Sequence, residues 1–177
     1  MRLSVFAVNY FFHETLVKSV FNILFVILVS HLPLLAGGND SGSIPWEADR
    51  KLTWDDFKGP PNEKTSFLAS TAYAIDCETQ WVEAQLVFRV QCSMQPNVSW
   101  VKPGAASEYL LSHEQLHFDI AELYARKLRA EISTTDFATK TLNKILKEIT
   151  DKNSRERETA QRRYDQETRH SLSLIHI

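Results

Sequence analysis

Two histidines separated by three residues, with a glutamate directly after the first, are the residues of this chain best suited to chemistry. They are His113, Glu114 and His117, in the stretch LLSHEQLHFDIAELYARKLRAEI at residues 110–132. At about 100° per residue of helix, His117 lies only ~40° around the axis from His113. Two neutral imidazoles on one face can share a divalent cation, and Glu114, about 100° away, can reach a water on that cation. The spacing is the HExxH pattern of helical zinc sites.

Both histidines interrupt the apolar stripe that this helix would bury. Leu110, Ile120, Tyr124 and Leu128 all fall within about 60° of His113. A buried ring nitrogen that meets no partner costs roughly 1–3 kcal/mol. A shared metal ion removes that cost. The alternative is a metal-free core helix, in which backbone groups or carboxylates satisfy each histidine separately.

A zinc ion that carries out hydrolysis typically keeps three protein ligands and one open position for water. The helix itself does not offer a third ligand. Glu122 lies about 180° from His113, and Asp119 about 120° from it, which suits an outer-shell or surface role. We therefore expect the third ligand to come from another segment.

The chain has six histidines, and three of them lie in terminal segments that we do not assign to the folded domain. Besides the pair in the helix, only His170 is left as an imidazole ligand, at the end of the stretch YDQETRH. Asp165 and Glu167 in the same stretch are rival ligands. Asp165 could alternatively orient a ligand imidazole as an outer-shell acceptor. The three excluded histidines are His13, His31 and His176.

Residues 1–38 have the composition of an export signal. A weakly basic start precedes an apolar run at residues 20–38, which ends in the small residues Ala-Gly-Gly. Because polar residues and a proline interrupt the run, a signal peptide is favoured over an uncleaved membrane anchor, which is the alternative. We therefore expect a secreted or periplasmic protein, with membrane contact only through this segment. Residues 39–51 are expected to form a flexible linker.

The remaining chain is expected to form one domain at residues 52–171. The last six residues, LSLIHI at 172–177, match what a common sequencing-library adapter encodes in frame, so we exclude them from the fold. The net charge of −2, with acidic and basic residues mixed, includes no basic stripe that suggests a nucleic-acid partner.

Two stretches of alternating apolar residues, at 67–77 and 82–92, predict a β-hairpin that turns at residues 78–81. This turn would place Cys77 beside the turn and Cys92 about ten residues away, beyond disulfide reach. An exported chain permits disulfides, so the pairing stays open, but the hairpin favours free cysteines.

Helices are predicted after the strands. A short strand at 98–101 precedes a long helix that begins between residues 105 and 108, with Ser107 as its cap, and ends near Ile132. A second helical pattern starts at Leu142, fades near residues 152–153 and resumes weakly with Ala160 and Tyr164. Strands followed by helices predict an α+β fold, in which a small antiparallel sheet packs on the long HExxH helix and further helices follow, a zincin-like arrangement.

Four segments of the chain resemble the bacterial domain of unknown function 922. They are WDDFKGPP at 54–61, SWV at 99–101, LLSHEQLHFDIAELYARKLR at 110–129 and YDQETRH at 164–170. The resemblance covers most of the chain from about residue 52 to residue 170, and the histidine helix is its most specific part. That family is described as predicted secreted zinc-dependent proteases.

The resemblance implies metal binding by His113 and His117, a catalytic carboxylate at Glu114, and His170 as the third ligand. The family pattern continues beyond this histidine, commonly with glycine, whereas this chain has Ser171, so we expect a truncated C-terminus.

The function that follows is an exported zinc-dependent metallopeptidase, which hydrolyses a peptide or protein substrate with a metal-activated water. Tyr164 or Arg169 could stabilise the oxyanion. The alternative is an exported zinc-binding module that catalyses no reaction.

Overall fold

The structure, a computed structural model, describes residues 42–83, 85–138 and 141–168. Several predicted features lie outside the described residues, among them the signal or anchor at 1–38, the ligand His170 and the terminal hexapeptide. Within the described ranges, no helix is long and apolar enough to cross a membrane.

The described residues form two small antiparallel sheets. The first has the strand order β1–β4–β3, with β1 at Ile44–Pro45, β3 at Tyr73–Val82 and β4 at Gln85–Met94. The second pairs β2, Ala69–Ser70, with β5, Trp100–Val101. Because two long helices follow these strands, the predicted α+β class is confirmed.

The strands β3 and β4 of the hairpin both begin and end later in the sequence than predicted. Its pairs run from Tyr73 opposite Met94 to Val82 opposite Gln85, so the chain turns at Glu83, where φ is 48°. The predicted turn at residues 78–81 is wrong. Residues 78–81 continue the strand, and they are exposed to solvent at this end of the hairpin.

The two cysteines are free, and they lie closer together than the predicted turn implied. Cys77 is opposite Val90, and Cys92 is opposite Ile75, so the two thiols occupy diagonal positions on one face of the hairpin. Diagonal cross-strand neighbours are roughly 7–8 Å apart, which exceeds disulfide geometry. Burial raises the pKa of Cys92 to about 12, so that thiol stays protonated.

The long helix α1, Glu108–Thr134, begins where the sequence predicts. The backbone N–H of Leu110 donates to the Ser107 hydroxyl at 3.2 Å, which satisfies one of the free donors of the first turn. One face of α1 packs on the three-stranded sheet. The buried core that results contains Phe118, Ala121, Ala125 and Leu128 of α1 together with Val90, Cys92 and Met94 of β4.

A single helix, α2 at Leu142–Thr168, follows α1 in the described residues, where the sequence predicted further helices. The helix continues without interruption through residues 152–153, where the apolar pattern fades. Asn153 is buried, and its Nδ2 donates to the Tyr124 carbonyl of α1 at 2.9 Å. The apolar pattern fades at Asn153 because this polar side chain is used for a hydrogen bond between the two helices.

The segment before residue 52 is part of the folded domain from Ile44 onward, although residues 39–51 were predicted as a flexible linker. β1 pairs with β4, and the Trp46 indole donates to the Asp119 carboxylate of α1 at 2.7 Å. The backbone N–H of Leu52 donates to the side-chain oxygen of Gln115 at 2.8 Å. Asp119 thus anchors this segment to the helix.

Gly59 brings two of the sequence segments singled out above into contact. Its N–H donates to the Ser99 carbonyl at 2.8 Å. A Cβ atom at this position would lie 2.9 Å from the carbonyl oxygens of both Asn97 and Ser99. Because those atoms belong to backbone, the position accepts only glycine without a shift of the chain.

Replacement of Gly59 by Ala should therefore destabilise the fold by about 1–3 kcal/mol, the usual cost of overpacking. Chemical denaturation followed by circular dichroism measures the loss. Lys58→Ala, at the exposed neighbouring position, is the control and should change the free energy of unfolding by less than about 0.5 kcal/mol. Equal stability of the two variants would contradict the close approach.

Candidate functional site

Three side chains converge at the N-terminal part of α1. The Nε2 atoms of His113 and His117 are 3.0 Å apart. The Oδ1 atom of Asp165, from α2, lies 3.4 Å from the first of these nitrogens and 3.1 Å from the second. Within the described residues, these three form a group whose ligand atoms could hold one metal ion.

The size of this triangle fits a zinc ion. Nitrogen and oxygen ligands lie about 2.0–2.2 Å from zinc, and tetrahedral angles then place them roughly 3.3–3.5 Å from one another. The measured separations of 3.0, 3.1 and 3.4 Å are close to that spacing. An ion bound there would have two imidazoles and one carboxylate as ligands, and three protein ligands are typical of catalytic zinc sites.

Glu114 lies beside the triangle and is held by Thr71, which directly follows β2. It is 3% exposed, and its Oε2 accepts a hydrogen bond from the Thr71 hydroxyl at 2.7 Å. Burial raises the pKa of the Glu114 carboxyl, while the hydrogen bond from Thr71 opposes that rise. A buried carboxylate whose pKa is raised is suited to take up a proton.

A cleft of about 140 Å³ opens onto these residues. One wall is apolar and includes Leu68 and the half-exposed Phe67, which is 45% exposed. The polar groups that line the cleft include His113, Glu114, His117 and Asp165. Solvent and a small part of a substrate can therefore reach the triangle.

Tyr164 of α2 packs on both imidazoles. Its ring stacks on His113 with the centroids 4.8 Å apart and meets His117 edge-on at 5.0 Å. Burial raises the pKa of Tyr164 to about 12, so its hydroxyl remains a hydrogen-bond donor at neutral pH. The contacts show a packing role, and the predicted oxyanion role stays a prediction. Arg169, its predicted alternative, lies outside the described residues.

The structure brings together the predicted residues His113, Glu114 and His117, and it adds Asp165 from the rivals for the third ligand. The other rival, Glu167, is exposed and pairs with Arg163 at 2.7 Å. As the helix angles predicted, Glu122 points elsewhere: it binds Arg126 and Arg129. His170 lies outside the described residues.

Two further residues that contact the imidazoles were not predicted from the sequence. Gln161 Oε1 lies 2.6 Å from His117 Nδ1, and Thr168 Oγ1 lies 3.4 Å from His113 Nδ1. With Tyr164 and Asp165 they occupy positions i, i+3, i+4 and i+7 of α2, which is one helical face. This periodicity could have indicated them, but Thr71 is distant in sequence and carried no such signal.

The comparisons with known proteins identify one family. Residues 41–171 match the family model described as bacterial protein of unknown function, DUF922. The chain matches no curated protein and no solved structure.

The burial of Glu114 predicts that Glu114→Gln raises the melting temperature of the metal-free protein by a few degrees near pH 8. The folded state raises the pKa of this carboxyl because burial favours its neutral form. The protonated carboxyl therefore contributes stability at low pH, and this contribution is lost as the pH rises through the folded pKa. The gain should thus be smaller near pH 5. Melting is measured by circular dichroism with a chelator present.

Glu156→Gln, which changes an exposed glutamate of α2, is the matched control and should leave the melting temperature unchanged at both pH values. A lower melting temperature for Glu114→Gln near pH 8 would show that the charged carboxylate stabilises the fold.

Proposed function

The chain belongs to the bacterial protein family of unknown function DUF922, and we propose that it is an exported zinc-dependent metallopeptidase. The observation that carries the proposal is the convergence of His113, His117 and Asp165 beside the buried Glu114. Two histidines four residues apart on a helix, with a glutamate after the first, are the zinc-binding and general-base residues of metalloproteases. Export is inferred from the composition of residues 1–38.

The chemistry of the donor set supports zinc. Imidazole nitrogen and carboxylate oxygen are both common zinc ligands, and the described triangle has the size that this ion requires. We assign Asp165 as the third ligand, while His170, which the family resemblance implied, is kept as the alternative. A zinc ion held there supplies a Lewis acid that acidifies water and polarises a peptide carbonyl.

Other residues of the site carry out proton transfer, orient the base and contact the substrate. Glu114 takes the proton of the attacking water and delivers it to the leaving amine, which is general base and then general acid catalysis. Thr71 keeps the Glu114 carboxylate oriented through its hydrogen bond. The apolar wall at Phe67 and Leu68 favours contact with an apolar part of the substrate.

The assignment of Glu114 predicts that Glu114→Gln lowers peptide hydrolysis by about 10²–10⁴-fold, the usual contribution of a general base. Zinc content should not change, because this residue is not a ligand. Mass spectrometry of a peptide pool measures cleavage, and elemental analysis measures zinc. Glu156→Gln serves again as the control and should hydrolyse the pool at the wild-type rate.

A wild-type protein that holds one zinc ion and cleaves no peptide would contradict the peptidase proposal. That result would favour the alternative, an exported zinc-binding module without catalysis. A protein that binds no metal and melts equally with and without chelator would instead favour the metal-free core helix.

The assignment of Asp165 predicts that Asp165→Ala weakens zinc binding by more than the roughly 10–100-fold that loss of an outer-shell partner costs. Competition with a chromophoric chelator measures the affinity. Glu167→Ala is the matched control on the same helix, since that carboxylate is exposed and pairs with Arg163. If His170→Ala loses zinc while Asp165→Ala keeps it, the assignment of the third ligand is wrong.

A further inference from the structure

The side-chain amide of Gln161 binds His117 at two points. Its Oε1 lies 2.6 Å from His117 Nδ1. Its Nε2 donates to the backbone carbonyl of His117 at 2.8 Å and to the Tyr73 hydroxyl oxygen at 3.2 Å. Gln161 is on α2, whereas His117 is on α1 and Tyr73 is on β3, so this one amide joins three elements of the fold.

These contacts determine which way the amide points. A backbone carbonyl can only accept a hydrogen bond, so the nitrogen end of the Gln161 amide must face the His117 carbonyl. The oxygen end then faces Nδ1, and because this oxygen can only accept, Nδ1 must carry a proton. An amide turned the other way would place oxygen against oxygen at the carbonyl.

The proton on Nδ1 has a consequence at the other ring nitrogen. A neutral imidazole that is protonated at Nδ1 presents a lone pair at Nε2. In His117, Nε2 is the atom 3.0 Å from His113 Nε2 and 3.1 Å from Asp165 Oδ1. The amide on one side of the ring therefore determines that the nitrogen on the other side can act as a ligand.

We propose that Gln161 is a positioning residue that holds His117 in the tautomer with its proton on Nδ1, so that Nε2 faces the metal site as a lone-pair donor. The metal-binding part of this inference rests on the proposed function, but the tautomer itself does not. It follows from hydrogen bonds that involve no metal. The HExxH motif does not indicate Gln161, which is 44 positions from His117 in the sequence.

The direct test is nitrogen-15 nuclear magnetic resonance of the imidazole rings in the metal-free protein, at about pH 8.5, well above the usual imidazole pKa of roughly 6.5. Wild-type protein should show His117 protonated at Nδ1. A ring protonated only at Nε2 would overturn the proposal whatever any variant does. Because the spectrum is recorded without metal, failure of the zinc proposal leaves this result interpretable.

Gln161→Met removes both ends of the amide at nearly the same length. We expect His117 to lose its single tautomer and the zinc affinity to fall by about 10–100-fold, as for other partners of ligand histidines. Gln161→Glu keeps an oxygen acceptor at Nδ1 and should restore the Nδ1 tautomer. A purely structural role for Gln161 would not produce this rescue.

Gln166→Met makes the same substitution at an exposed position of α2, and it should leave both the tautomer and the zinc affinity unchanged. An unchanged His117 tautomer in folded Gln161→Met protein would overturn the positioning role. A shifted tautomer in protein that never binds zinc would support the positioning role and contradict the proposed metal site.

Discussion

Two imidazole nitrogens and one carboxylate oxygen lie within 3.4 Å of one another beside the cleft. The hydrogen bond between His117 Nδ1 and Gln161 leaves Nε2 of a neutral His117 ring with a lone pair, 3.1 Å from the Asp165 oxygen. Two acceptor atoms at this distance need a shared proton or a shared cation between them. We propose a divalent cation, which binds nitrogen and oxygen ligands at this spacing, and contacts between the two helices keep the three atoms in place.

The register between the two helices is what maintains this geometry. Asn153 binds the Tyr124 carbonyl and Gln161 binds the His117 carbonyl, so two side chains of α2 are fixed to the backbone of α1. A shift of α2 by one helical turn, about 5.4 Å, would carry Asp165 out of reach of both imidazoles. The packing of the two helices therefore determines the geometry of the site.

The strands contribute to the same site from the opposite side. Thr71 directly follows β2, and its hydroxyl binds both the carboxylate and the backbone carbonyl of Glu114. The short two-stranded sheet thus positions the proposed base, whereas the helix pair positions the proposed ligands. The three-stranded sheet forms the core under α1 and takes no part in the cleft.

Local patterns made much of this fold predictable. The cap at Ser107 and the apolar periodicity of α1 are local features that a few neighbouring residues determine. Both the helix and the orientation of Glu122 away from the site were therefore predicted correctly. The turn of the hairpin was misplaced because the strand extends beyond the core, so that the polar residues 78–80 are exposed although they belong to the strand.

The third ligand illustrates the limit of sequence reasoning. Asp165 lies 48 residues after His117 and His170 lies 53 residues after it, and spacing alone does not choose between them. The packing of α2 on α1, to which the buried Asn153 contributes, brings Asp165 to the imidazoles. Gln161 and Thr71 could not be predicted for the same reason, since each contacts a residue that is distant in the sequence.

X-ray absorption at the zinc edge, on protein purified without added metal, tests the central claim most directly. The account predicts one zinc ion per chain, with nitrogen and oxygen neighbours at about 2.0–2.2 Å and the outer-shell scattering of two imidazole rings. Absence of stoichiometric zinc, or a sulfur shell near 2.3 Å from the free cysteines, would contradict it.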